Sequence, residues 1–188
     1  MDALSALIGR VSPVRLGDIP PDEAALRQIL DAGLRAADHG RLRPWKFLVM
    51  RGEARLRFGE VLAEALRKRD PVVAESVLKA ERQKPRRAPL LVVVAAATKE
   101  NTKIPVIEQV LSAGAAAQNM LVAAHALGLG GFWRTGAPAY DANVKQALGL
   151  KPADEIVGIL YLGNVAAPGL PKKPDPSGVV EEWTGPAT

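Results

Sequence analysis

Apolar residues recur along the chain in two rhythms, a three-to-four-residue spacing and short unbroken runs, and the two alternate from end to end. Ala3, Leu4, Leu7 and Ile8 share one face of a short helix that Asp2 can cap and that ends near Gly9. Arg10 to Leu16, holding Ser12 and Pro13, does not readily continue it. Pro20 and Pro21 predict the first turn of a second helix, with Asp22 and Glu23 suited to its dipole. Leu26, Ile29, Leu30 and Leu34 form its buried stripe, while Arg27, Asp31 and Arg35 follow another face at four-residue spacing. After Asp38-His39-Gly40, the segment Lys46 to Met50 reads as a strand. Helices are predicted from Glu53 through Leu66 and over Val72 to Gln83. Leu90 to Ala97 is a continuous apolar, valine-rich run, the pattern of a strand buried on both faces. A long helix starts with Pro105 in its first turn and ends near Gly128 or Gly130. A short strand Gly131 to Arg134, a helix around Asp141 to Leu148 and a strand Glu155 to Leu162 follow.

Helices alternating with apolar strands, without a run of hairpin signals, predict a layered domain of the α/β or α+β type. The natural division is a folded domain over residues 1–165 and an extended, proline- and glycine-rich arm over 166–188. From Val110 to Phe132 the chain carries no Asp, Glu, Lys or Arg, which raises a membrane-spanning reading. Gln118, Asn119 and His125 interrupt that stretch, and residues 113–117 are all Ala or Gly. A small-residue helix of this kind suits a tightly packed centre or a subunit interface instead.

Composition narrows the chemistry. The absence of cysteine excludes a disulfide framework, thiolate metal sites and cysteine nucleophiles, and two histidines leave little for a metal site, so no metal is expected. The amino terminus lacks the pattern of an export signal, and the expected location is cytoplasmic. A formal charge of +5 favours anionic partners. The basic residues are mixed with acids, however, and Arg41-Leu42-Arg43 and Lys84-Pro85-Arg86-Arg87 read as solvated faces or loops. No nucleophile elbow, P-loop or dinucleotide fingerprint is present; Gly128-Leu129-Gly130-Gly131 follows a helix and reads as its C-terminal cap.

What remains is a set of basic and hydroxyl residues at element ends. Arg10 and Ser12 could grip a phosphate together, one with charge and a fork of donors, the other with a neutral hydroxyl. Arg134-Thr135, directly after Gly131-Phe132-Trp133, is a second such pair, with a structural ion pair beside a packed indole as the alternative. His39, between a helix end and Arg41, reads as a cap or turn residue or as a third site residue.

In this order, several segments resemble the nitroreductase family, and within it the short YdjA-like branch. They are Asp2-Ala3-Leu4 with Arg10-Val11-Ser12, Arg35-Ala36-Ala37-Asp38-His39, Arg43-Pro44-Trp45-Lys46-Phe47, Arg87-Ala88-Pro89-Leu90, Glu108 with Ser112-Ala113-Gly114, Gly130 to Gly136, and Ile156 to Gly163. The resemblance implies an α+β, three-layer α/β/α fold with a central mixed sheet, an intertwined homodimer, and FMN held between the subunits. It implies that Arg10, Val11 and Ser12 form one cofactor segment, with phosphate and ribityl ligands at Arg10 and Ser12. Trp133, Arg134 and Thr135 form a second, with Arg134 on the phosphate, and the neighbouring subunit adds Arg35 and His39. Val14 stands where the family commonly has a basic residue, and Arg15 follows it.

The implied activity is an FMN-dependent oxidoreductase that carries hydride from NAD(P)H through the flavin to a small nitroaromatic, quinone or similar acceptor. No protein residue is required as a catalytic nucleophile, since the cofactor performs the redox step. Two alternatives stand beside it. A flavin enzyme of the same fold could perform a dehydrogenation or dehalogenation, and a noncatalytic basic protein could bind nucleic acid. The second would show steeply salt-dependent binding. Because the basic clusters lack interleaved aromatics and no nucleic-acid motif occurs, neither nucleic acid nor membrane is expected as a partner.

Overall fold

A computed structural model describes residues 1–100 and 102–186. Helices α1 (Ala3–Gly9), α2 (Glu23–Leu34), α3 (Glu53–Arg69), α4 (Glu75–Gln83), α5 (Val106–Ala126) and α6 (Ala142–Ala147) surround five strands. The strands are β1 (Arg15–Leu16), β2 (Trp45–Arg51), β3 (Leu90–Ala96), β4 (Leu129–Arg134) and β5 (Glu155–Ala167). Asp2 caps α1 as expected, its carboxylate accepting from the Ser5 amide at 3.0 Å. Asp22 caps α2 through the Ala25 amide at 2.7 Å, so Pro20 and Pro21 precede the helix rather than forming its first turn. Likewise Pro105 is the cap residue of α5, not part of its first turn.

The sheet is buried on both faces. Along β3, Leu90, Val92, Val94 and Ala96 join the core under α2 and α5, while Leu91, Val93 and Ala95 join the core under α3 and α6. β5 divides the same way, with Leu160 and Leu162 on the first face and Ile159 and Tyr161 on the second. This period-two split is what an unbroken apolar strand requires, and it gives the three layers expected.

The ladders are antiparallel at every pairing among the described residues, not mixed. Two connections explain this. α3 and α4 form a helical excursion between β2 and β3, and the chain re-enters beside its exit, pairing Arg51 with Leu90. The single helix α5 carries the chain from β3 to β4, which run in the same direction but do not touch. β5 fills the gap between them, with residues 159–162 pairing both neighbours.

β5 also runs five residues past the expected Leu162, because Val165 and Ala167 pair with β1, a two-residue strand without any local signal of its own. The apolar face of α1 departs from expectation too. Leu4, Leu7 and Ile8 are exposed and only Ala6 is buried. On α5, Ile107 and Leu111 are exposed. No helix among the described residues is long and apolar enough to cross a membrane.

Candidate functional site

The site is organised around the end of β4. Register pairs Phe132 with Tyr161 and Arg134 with Ile159 across the β4–β5 ladder. The pleat sends Phe132 and Arg134 to one face, where the Arg134 guanidinium lies 5.0 Å from the Phe132 ring centroid and 6.0 Å from that of Tyr161. A cation above an aromatic face is attracted by the ring quadrupole, so the two rings hold the guanidinium without neutralising it. Trp133 is fixed differently. Its indole N–H donates to the Val157 carbonyl at 3.0 Å, and the ring lies so close to Gly158 that a β-carbon there would sit 2.3 Å from Nε1. Glycine at 158 is therefore required by the close approach of the indole, not by its backbone angles.

Two adjoining cavities share Arg87 and Arg134 as a common wall. The first, about 360 Å³, lies between α3, the end of α4 and β5, and is bordered by Glu81, Lys84, Tyr161 and Thr135. The second, about 530 Å³, is bordered by Val14 to Asp18, Arg86 and Phe132. Both fall within the size range of small-molecule sites. Charge in them is unbalanced. Arg69 pairs with Asp141, and Lys84 with Glu81. Among the described residues Arg15, Arg86, Arg87 and Arg134 pair with no carboxylate. Four uncompensated guanidinium groups around one recess produce a strongly anion-attracting field. Burial pushes the Tyr161 phenol above its ordinary range, against the opposing pull of Arg134 and Arg87.

Of the residues singled out from sequence, Trp133, Arg134 and Thr135 meet in the first cavity. The ion-pair alternative for Arg134 does not hold, since aromatic rings take the place of a carboxylate. Arg10, Val11 and Ser12 border neither cavity. Val11 and the Ser12 carbonyl pack closely on Gly169, and Pro13 packs on Gly130 at the start of β4. The loop then enters the second cavity at Val14, with Arg15 beside it. Arg35 and His39 lie elsewhere in the chain, near the end of α2. Arg35 borders a recess of about 310 Å³ with Arg41, Arg43 and Trp45. His39 pairs through Nδ1 with Glu108, beside an apolar recess lined by Leu111 and Ala115. Directly after His39, Gly40, Arg41 and Arg43 all have positive φ, at 66°, 55° and 48°. Two arginines held in the left-handed region are strained, and such strain gathers at functional loops.

Sequence reasoning missed Lys84, Arg86 and Arg87, which were expected to face solvent. The segment Lys84–Arg87 is a 3-10 turn anchored by buried Pro85, and it turns these cations toward the cavities. The available signal was positional: a basic run shortly before the buried strand β3, as Arg134 is the basic residue that ends β4. Tyr161, the one polar side chain in Ile159 to Leu162, was a second overlooked signal. No group of side chains suited to hold a metal ion occurs among the described residues.

A sequence model described as the nitroreductase family matches residues 9–164. The chain belongs to the nitroreductase family. Among relatives of this family, YdjA of Escherichia coli strain K12, whose name assigns it provisionally as an NAD(P)H nitroreductase, is 45% identical over 167 residues, covering 87% of this chain and 88% of that protein. A nitroreductase-like family protein from Bacillus cereus shares the fold, with a TM-score of 0.80 at 22% identity, covering 98% of this chain and 97% of the other. A nitroreductase-type protein from Desulfovibrio desulfuricans, solved in complex with FMN, is similar with a TM-score of 0.76 at 27% identity over 99% of both chains.

Proposed function

We propose that this nitroreductase-family chain is an FMN-dependent oxidoreductase that draws electrons from NAD(P)H and delivers them to a small nitroaromatic, quinone or similar acceptor. The observation that carries the reading is the cluster of Arg15, Arg86, Arg87 and Arg134, uncompensated by carboxylates and set against the Phe132 and Tyr161 rings. Such a recess suits a ligand with an anionic group at one end and a planar ring at the other. FMN has that form, it is bound in the Desulfovibrio relative, and NAD(P)H stands in the name of YdjA.

In this reading FMN supplies the two-electron chemistry, accepting hydride from the nicotinamide and passing it to the acceptor. The chain's own residues bind and orient. Arg134 holds the phosphate, and Trp133 and Thr135 complete its segment. Arg10 and Ser12, with Val11 between them, hold phosphate and ribityl from the loop that continues into the second cavity. Arg15, Arg86 and Arg87 favour negative charge that develops in the recess during reduction. A cytoplasmic location suits a nicotinamide-coupled enzyme.

The active form is a homodimer. Leu4, Leu7 and Ile8 of α1 are exposed, as are Ile107 and Leu111 of α5, and the arm exposes Leu170, Val179, Val180 and Trp183. Surfaces of this kind mark protein contacts, and a second copy would cover them. Arg35 and His39 of the partner subunit then complete the cofactor site. Steady-state kinetics test the reading. Alternating donor and acceptor at one flavin gives parallel double-reciprocal lines, whereas intersecting lines with no flavin reduction by either nicotinamide contradict it.

A further inference from the structure

Glu81 is the one carboxylate bordering the first cavity, among Arg69, Lys84, Arg87 and Arg134. It lies in the last turn of α4 and leads into the 3-10 turn at Lys84–Arg87. Glu81 and Lys84 are three residues apart across the end of α4, as neighbours on one helix face are, Lys84 and Arg87 eclipse within the 3-10 turn, and all three border the cavity. Lys84 Nζ donates to Glu81 Oε1, while Oε2 is buried and has no hydrogen-bond partner. The side chain is 14% exposed.

Buried polar atoms are almost always paired, and an unpaired carboxylate oxygen calls for a specific account. Four cations border the same recess, yet none of their other donors reaches Oε2. Arg55 Nε, a donor, is likewise buried without a partner and makes no hydrogen bond to Oε2, so Oε2 is left open to a donor that a ligand brings. A carboxylate acceptor fixed beside an ammonium donor complements a cyclic lactam edge, an N–H next to a C=O. Rotation about the terminal torsion of glutamate is soft, so the unpaired oxygen can turn to the ligand while Lys84 stays near.

We propose that Glu81 accepts the imide N–H of the flavin ring, at N3, and that Lys84 donates to the adjacent ring carbonyl. The inference rests on the FMN reading above and adds a specificity-determining pair to it. Glu81 thereby orients the pyrimidine edge and selects a ring whose nitrogen carries hydrogen.

Titration of the apoprotein with FMN and with N3-methyl-FMN, followed by quenching of flavin fluorescence, tests this directly. The wild-type protein is expected to bind FMN at least 10-fold more tightly than the methylated flavin. In Glu81→Ala, which removes the acceptor and leaves room for a methyl group, the two flavins should bind alike. Glu81→Gln retains a carbonyl acceptor and should keep part of the preference, and it serves as the folded control if the alanine variant is unstable. Equal affinity of the wild-type protein for both flavins overturns the assignment of Glu81 while leaving FMN binding intact. A preference that survives in Glu81→Ala overturns it as well. Failure of the wild-type protein to bind either flavin overturns the FMN reading itself.

Discussion

Replacement of Arg134 by alanine separates its proposed role in binding from its role in the fold. Its guanidinium lies over Phe132 and Tyr161 at the exposed end of β4. A cation–π contact at such a site contributes about 0.5–1 kcal/mol. No buried ion pair is lost, since Arg134 has none among the described residues. For a chain of this size a loss of that magnitude lowers Tm by roughly 1–4 °C. A charge-assisted hydrogen bond to phosphate contributes about 1.5–3 kcal/mol, which corresponds to roughly a 10- to 150-fold rise in the Kd for FMN. Arg134→Ala should therefore lose most of its affinity and little of its stability. Arg134→Lys should fall between, because it keeps the charge and loses the planar fork. Kd by fluorescence quenching and Tm of the apoprotein measure the two effects independently. An unchanged Kd, or a rise in Kd that merely follows a large fall in Tm, refutes the role given to Arg134.

Other substitutions examine the supports of the site. Gly158→Ala places a methyl group 2.3 Å from the Trp133 indole nitrogen and is expected to cost about 1–3 kcal/mol, as overpacking does, with weaker FMN retention; a Tm equal to wild type would contradict this. Burial acts to raise the Asp141 carboxyl, but hydrogen bonds from Arg69, Asn143 and Val144 outweigh it and hold the group below its ordinary value. Its contribution to stability is therefore present above the ordinary carboxylate range and is lost as pH falls through the lowered folded value. Asp141→Asn should lower stability by about 0.5–1 kcal/mol at neutral pH, since the cap survives while the pair with Arg69, more than a third exposed, is lost. The Tm gap to wild type should narrow below about pH 4, and a gap independent of pH would refute the assignment. Leu111→Glu introduces charge at an exposed apolar position of α5; sedimentation should show a monomer that retains FMN poorly, and an intact dimer would count against this face as the interface.

Much of the layered core was legible because local patterns were strong. The valine-rich run of β3 could only be a strand buried on both faces, and Asp2 and the glycine after α5 marked their helix ends. Pairing between distant segments was not legible. β1 has two residues and exists because Val165 and Ala167 continue β5 to meet it. The antiparallel ladders likewise depend on β5 entering between β3 and β4, which no local signal encodes.

The site divides along the same line. Trp133, Arg134 and Thr135 could be found because a basic residue directly following an apolar run is unusual. Lys84, Arg86 and Arg87 resembled an ordinary solvated run, and only the packing of Pro85 turns them inward. Gln109 stands directly before the charge-free stretch that begins at Val110 and offers no local signal of a role. In the fold it is buried and binds the backbone of Lys99 and Ile104, closing the loop before α5. Arg35 and His39 remain apart from Arg134 within one chain, so their proposed place in the site depends on a second copy.

The most direct measurement is a visible absorption spectrum of the purified protein after addition of FMN and removal of the excess, followed by anaerobic addition of NADH or NADPH. Retained flavin that bleaches with a nicotinamide and recovers its colour with a nitroaromatic or quinone is the predicted result. A protein that retains no flavin, or whose bound flavin neither nicotinamide reduces, would contradict the account.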